Sequence, residues 1–90
     1  MTTTMPLADL LRDYTPGDGH TWSDEFRWME AHHGSKLLKL KSDIFVNGIR
    51  EPILLGDDGR VWDGHHRIWV AQLLGIKEVP VTHALGEDDA

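Results

Sequence analysis

Asp63-Gly64-His65-His66-Arg67 is the stretch of this chain whose residue types and spacing suit chemistry. Val61 and Trp62 before it read as the end of a strand, and Asp63-Gly64 is a chain-breaking pair. The apolar run that follows closes at Gly75, a usual helix stop. A strand that turns through glycine into a helix gathers unpaired backbone N–H groups and the positive end of the helix dipole at one point. That point favours an anion, most naturally a phosphate, and two histidines and an arginine in the first turn add to it. Gly64 serves a tight turn and also lets backbone approach a phosphate closely. Arg67 either pairs with Asp63 or another acid, or grips an oxyanion with its planar fork.

Each of the other side chains has a chemical reading and a plain one. His65 and His66 point about 100° apart on a helix, so they cannot both hold one metal from the same face. A zinc site would need ligands from elsewhere, with His32, His33 and His83 as the candidates. Proton donation or phosphate contact suits one of the pair better, because an imidazole changes charge near neutral pH. Asp63 beside a phosphate is repulsive unless it acts as a general base, holds Mg²⁺ or pairs with Arg67. Its plain reading is an Asx turn capping the helix that starts at His65. Lys41 projects within an apolar arc, either with its stem along the surface and its ammonium in water or reaching the anion site.

The elements around the stretch follow from periodicity and turn chemistry. Met5 to Leu11 reads as a strand, or as a strand running into a helical turn, and Arg12 to Gly19 as a loop. Thr21 and Asp24 have capping-box spacing before a short helix carrying Trp22, Phe26 and Met29 on one face, with Gly34 as its stop. Ser35 is the next candidate cap, for a helix to about Asn47 that ends at Gly48. Glu51 to Leu55 and Arg60 to Trp62 flank Gly56-Asp57-Asp58-Gly59 as a hairpin. The helix from Gly64 to Leu74 is apolar around most of its circumference and so is expected to be covered on several sides. Lys77 to His83 is a last short strand. The prediction is one α+β domain over residues 1–90, a small mixed sheet with a hairpin and three helices. Residues 1–5 and 86–90 are expected to be disordered, and 20–34 to be an inserted helical segment. Trp22 and Trp28 within it are core residues or a stacking platform for a base, the segment then forming a lid over the site.

Composition narrows the function. The 90 residues hold no cysteine, which excludes disulfides, thiolate metal sites and a thiol nucleophile. The formal net charge of −6 lacks the cationic excess that non-specific duplex binding draws on. Lys36, Lys39, Lys41, Arg50, Arg60 and Arg67 nonetheless fall in one central stretch, a distribution that suits a small anionic ligand. No apolar run approaches the ~20 residues of a membrane span. Met1 to Pro6 has no signal-peptide features, so a cytoplasmic setting is expected.

Three segments resemble the ParB/sulfiredoxin superfamily. Asp43 to Ile53 looks like its S-I-x-x-x-G-[LI]-x-x-P-[IV] segment, with Asp43 where serine is common. Gly64 to Gly75 resembles its G-E-R-R-x-R-A-A-x-L-L-G box, and Val79-Pro80-Val81 its V-P-V strand. The resemblance implies a ParB/sulfiredoxin-like fold over Leu37 to His83 and favours the anion reading of Arg67. His65 stands where sulfiredoxins place their nucleophilic cysteine, which excludes sulfinic acid reduction but leaves phosphate binding by the turn, His66 and Arg67. ParB proteins bind CTP through this box and read DNA with a following helix-turn-helix domain, which is not expected here, and the N-x-R pattern of their first box is not evident between Arg12 and His20. The D-G-H-H-R spelling resembles free-serine kinases of the superfamily. It thereby implies that Asp63 and an upstream acid, Asp9 or Asp13, serve catalysis beside an adenine nucleotide. Small stand-alone ParB-like proteins, many from bacteriophages and commonly described as nucleases, share the spelling.

The expectation is a ParB-like domain that binds a phosphate-bearing ligand, ATP, ADP or CTP, through Gly64, His65, His66, Arg67 and Lys41. Asp63 and His66 are the candidate catalytic residues for phosphoryl transfer or hydrolysis, with Asp63 the Mg²⁺ ligand; whether the chain is an enzyme stays open. The alternatives are a DNA-binding or nuclease module, which the acidic charge disfavours, and a phage effector that binds a host protein in the host cytoplasm. A homodimer is a further expected assembly.

Overall fold

Short apolar segments separated by glycine turns, with two longer helical repeats between them, set the architecture. The computed structural model describes residues 3–17 and 19–84. In chain order these form β1 (Thr3–Pro6), α1 (Leu7–Asp13), α2 (Trp22–His32), α3 (Gly34–Asn47), β2 (Ile53–Leu55), β3 (Val61–Asp63), α4 (His65–Leu74) and β4 (Glu78–His83). The strands make one mixed sheet in the order β1-β4-β2-β3. β1 is antiparallel to β4, β4 parallel to β2, and β2 antiparallel to β3. The α+β class, the mixed sheet and the hairpin are as the sequence implies.

The N-terminal region differs from expectation. Thr3 to Met5, expected to be disordered, pair with β4 in the register Thr3↔Val81 to Pro6↔Glu78. That pairing is long-range, so no local signal announces it. Leu7, Leu10 and Leu11 then take helical spacing, and α1 buries Leu7 and Leu10. The described residues therefore form four helices rather than three. The expected disorder of Met1, Thr2 and residues 86–90 falls outside the described residues.

The two middle helices form where capping and periodicity place them, with one shift at their junction. The Thr21 hydroxyl accepts from the Asp24 N–H at 3.1 Å, and the Asp24 carboxylate accepts from the Thr21 N–H at 3.4 Å, completing the capping box. The break between the helices is His33, with φ −128° and ψ 30°, and it serves as the last cap of α2 and the first of α3. Gly34 begins α3 instead of ending α2, and Ser35 is not the cap.

α4 is the element on which both halves of the core meet. Its Ile68 and Ala71 pack with Leu7, Leu10, Ile53 and Val79 under the sheet. Its Val70 packs with Met29, Leu37 and Ile44 from α2 and α3. Ile68, Val70 and Ala71 are fully buried, as a helix covered on several sides requires. The helix closes at Gly75 (φ 73°), where the Ile76 N–H reaches back to the Ala71 carbonyl at 2.9 Å in a Schellman arrangement. Among the described residues no helix is long and apolar enough to cross a membrane.

Candidate functional site

β3 delivers the chain to Gly64, and Gly64 turns it into α4. Gly64 is buried at φ 115° and ψ 15°, a left-handed conformation that costs an L side chain energy. A Cβ there would lie 3.0 Å from Ile53 Cγ1 and 3.2 Å from Arg67 Nη2, so the space is also closed to one. No side chain caps the helix start. The first-turn N–H groups of His65, His66 and Arg67 therefore have no intrahelical acceptor.

Three side chains fan out from that turn in different directions. The His65 Nε2–H donates to the Pro16 carbonyl at 2.9 Å, which fixes a proton on that nitrogen. Its ring lies 5.7 Å from that of Trp22, whose indole N–H donates to the Tyr14 carbonyl at 2.8 Å. His66 faces the opposite way, with its Nε2 3.0 Å from His33 Nδ1. Burial pushes the His66 pKa below the ordinary histidine value, and positive charge on Lys36, His33, His65 and Arg67 adds to the effect. Trp28 meets His33 edge-on at 5.0 Å and stacks on His32 at 4.6 Å. The inserted helix α2 and the residue that ends it thus lean on both histidines of the turn.

Arg67 is the most enclosed cation of the group, its side chain only 18% exposed. Its contacts are all long. Nη2 donates to the Pro52 carbonyl at 3.4 Å and lies 3.5 Å from Asp63 Oδ2, and Nη1 is 3.8 Å from Glu51 Oε2. Both carboxylates are largely in solvent, where such pairs contribute little. The Nε is buried with no hydrogen-bond partner. The side chain lines a cavity of about 140 Å³ together with Leu40, Asp43, Ile44, Ile49, Arg50 and Glu51.

The expected site residues do not all converge. Gly64, His65, His66 and Arg67 form the turn itself, and Asp63 ends β3 beside it. Asp63 does not cap α4; its carboxylate faces Arg67, which is the pairing alternative read from the sequence. Lys41 is half-buried on α3 and does not line the cavity beside Arg67, although Leu40 and Ile44 of that helix do. Asp9 and Asp13 both pair with Arg12 on α1. His33 and Lys36 come to His66 instead, from a helix junction that no motif marks. Among the described residues no group of three or more histidine, aspartate or glutamate side chains converges as a metal site. Asp63 alone would hold Mg²⁺ only with ligand phosphates and water completing the shell.

No protein-family model matches the chain. Among solved structures, it is similar to the C2221 form of a Pnob8-like ParB-N domain, with a TM-score of 0.62 at 17% identity over 92% of this chain and 28% of that one. It is also 44% identical over 43 residues to the uncharacterized protein ORF326b of Acidianus two-tailed virus, a match covering 48% of this chain and 13% of the viral protein. The chain therefore spans under a third of the solved chain and about an eighth of the viral relative. At this identity the structural likeness establishes the fold, and the fold is ParB-like.

Proposed function

We propose that this ParB-like domain binds a phosphate-bearing ligand, most readily a nucleotide such as ATP, ADP or CTP, at the turn from Gly64 to Arg67. The observation that carries the reading is Arg67. A guanidinium nearly withdrawn from water ordinarily finds short, well-aligned acceptors, because leaving its donors unmet costs about 1–3 kcal/mol or more. Here every contact is 3.4 Å or longer and one N–H has none. It stands beside a helix start that no side chain caps. A phosphate oxygen would meet both needs at once through charge-assisted bonds. Fold likeness does not supply this conclusion, since one fold hosts many functions.

Phosphoryl transfer or hydrolysis is the reaction class these groups suit, because it runs on positioning and charge more than on covalent catalysis. In that reading Arg67 and the backbone N–H groups hold the phosphate. His65 is anchored by Pro16 beside it, and His66 supplies or takes a proton. Asp63 activates a hydroxyl or water, or binds Mg²⁺ that the ligand carries in. The likeness to a viral protein supports a virus-encoded setting in a host cytoplasm.

The test is a thermal-shift panel of ATP, ADP and CTP with and without Mg²⁺. Ligand at 100 times its Kd stabilises the folded state by about 2.7 kcal/mol, which is a shift of roughly 10 °C or more for a domain this small. Arg67→Lys keeps the charge, loses the fork and should abolish most of the shift. Asp63→Ala should bind and fail to release phosphate. No shift with any of the three nucleotides overturns the proposal.

A further inference from the structure

The geometry points to a second site on the far side of the same turn: His33 and His66 form a two-imidazole site for a transition-metal cation of the Zn²⁺ class. His33 Nδ1 and His66 Nε2 face each other at 3.0 Å, with ring centroids 5.1 Å apart and ring planes inclined by 31°. Two nitrogens bound to one tetrahedral Zn²⁺ at 2.0–2.1 Å stand about 3.3 Å apart, and their ring centroids about 5.2 Å. The rings need open by only a few tenths of an ångström to admit the ion. The two nitrogens already face each other at hydrogen-bond distance, and the backbones that place them are a helix junction and a first helical turn.

Two adjacent imidazoles hydrogen-bonded to each other hold one proton between the facing nitrogens. Metal binding moves that proton to the far nitrogen of its own ring, so a neutral pair changes tautomer without net proton release. No third histidine, aspartate or glutamate converges on the pair among the described residues, so water or an anion fills the remaining positions. The site is open and exchangeable, unlike a closed structural zinc centre. Lys36 and Arg67 lie near enough to lower its affinity further. Imidazole ligands select Cu²⁺, Zn²⁺, Ni²⁺ and Co²⁺ and disfavour Mg²⁺, which takes oxygen ligands. His66 is shared with the proposed phosphate site, and Zn²⁺ binding read in the absence of nucleotide stands or falls apart from that site.

Calorimetric titration of the tag-free chain with Zn²⁺, and separately with Mg²⁺, tests it. One equivalent of Zn²⁺ should bind, and His33→Asn and His66→Asn should each weaken it by about tenfold or more, or about 1.4 kcal/mol. His32→Asn and His20→Asn should leave it unchanged. Imidazole ¹⁵N spectra of the unsubstituted protein give a second readout that needs no variant, with Zn²⁺ moving His33 Nδ1 and His66 Nε2 in particular. Absence of Zn²⁺ binding, undiminished affinity in His33→Asn, or a response to Mg²⁺ equal to that for Zn²⁺ overturns the site.

Discussion

Gly64 carries the site's geometry with no side chain of its own. Its φ of 115° and the 3.0 Å approach of Ile53 to the position of a Cβ combine strain with crowding. Gly64→Ala should cost about 1–3 kcal/mol, read as a lower urea midpoint at an unchanged slope. An equal midpoint would mean that the turn relaxes freely. His66 makes a second prediction. Its pKa is lowered in the fold chiefly by burial, so the folded state prefers the neutral ring. As pH falls through the ordinary histidine value of about 6.5, the unfolded chain takes the proton first. The stability associated with the neutral ring is therefore complete above that value and is lost as pH drops through the lowered folded pKa. In chelator-treated protein the unfolding midpoint should fall between about pH 7 and pH 5, and His66→Asn should flatten part of that fall.

Among the elements, what local sequence encodes was legible and what distant pairing decides was not. The α2 capping box, the β2–β3 hairpin and the glycine stop of α4 each rest on residues a few positions apart, and each formed as read. The turn at Gly64 and the Asp63–Arg67 pair are local too, four residues apart on one helix start. β1 exists because β4, some 75 residues on, offers it an edge. The seven residues of α1, directly after a proline, carry too little periodicity to decide between strand and helix. In the sequence His33 is one of several histidine candidates and Lys36 one of several central cations, and nothing ties either to His66, because α3 must fold over α4 before they meet. α1 is nonetheless structural: Leu10 is fully buried against the sheet and α4. Leu10→Ala should cost about 2–5 kcal/mol. For a small domain that is a melting-temperature drop of roughly 10 °C or more, while Leu38→Ala, exposed on α3, should change stability by less than about 0.5 kcal/mol.

Over the whole molecule, charge separates a nucleotide from a nucleic acid. The chain has 9 lysines and arginines against 15 aspartates and glutamates. Much of that cationic charge is engaged, since Arg12, Arg27, Arg50 and Arg60 each pair with an aspartate. Arg67 lines a small cavity and its side chain is only 18% exposed, so it offers little to a duplex backbone. DNA affinity grows with the number of phosphates neutralised, and log K falls with log salt at a slope of about −0.9 per phosphate. With so few lysines left to meet a backbone, a fluorescent duplex should show a slope no steeper than about −2 between 50 and 200 mM salt. A nucleotide held mainly by Arg67 and backbone N–H groups should lose at most a few-fold in affinity over the same range, because its charge is met inside the fold and screened less. A duplex slope steeper than about −5 would require about six phosphates neutralised together, more than Lys36, Lys39 and Lys41 of α3 supply, and would move the proposed function from the turn at Gly64 to a wider cationic surface.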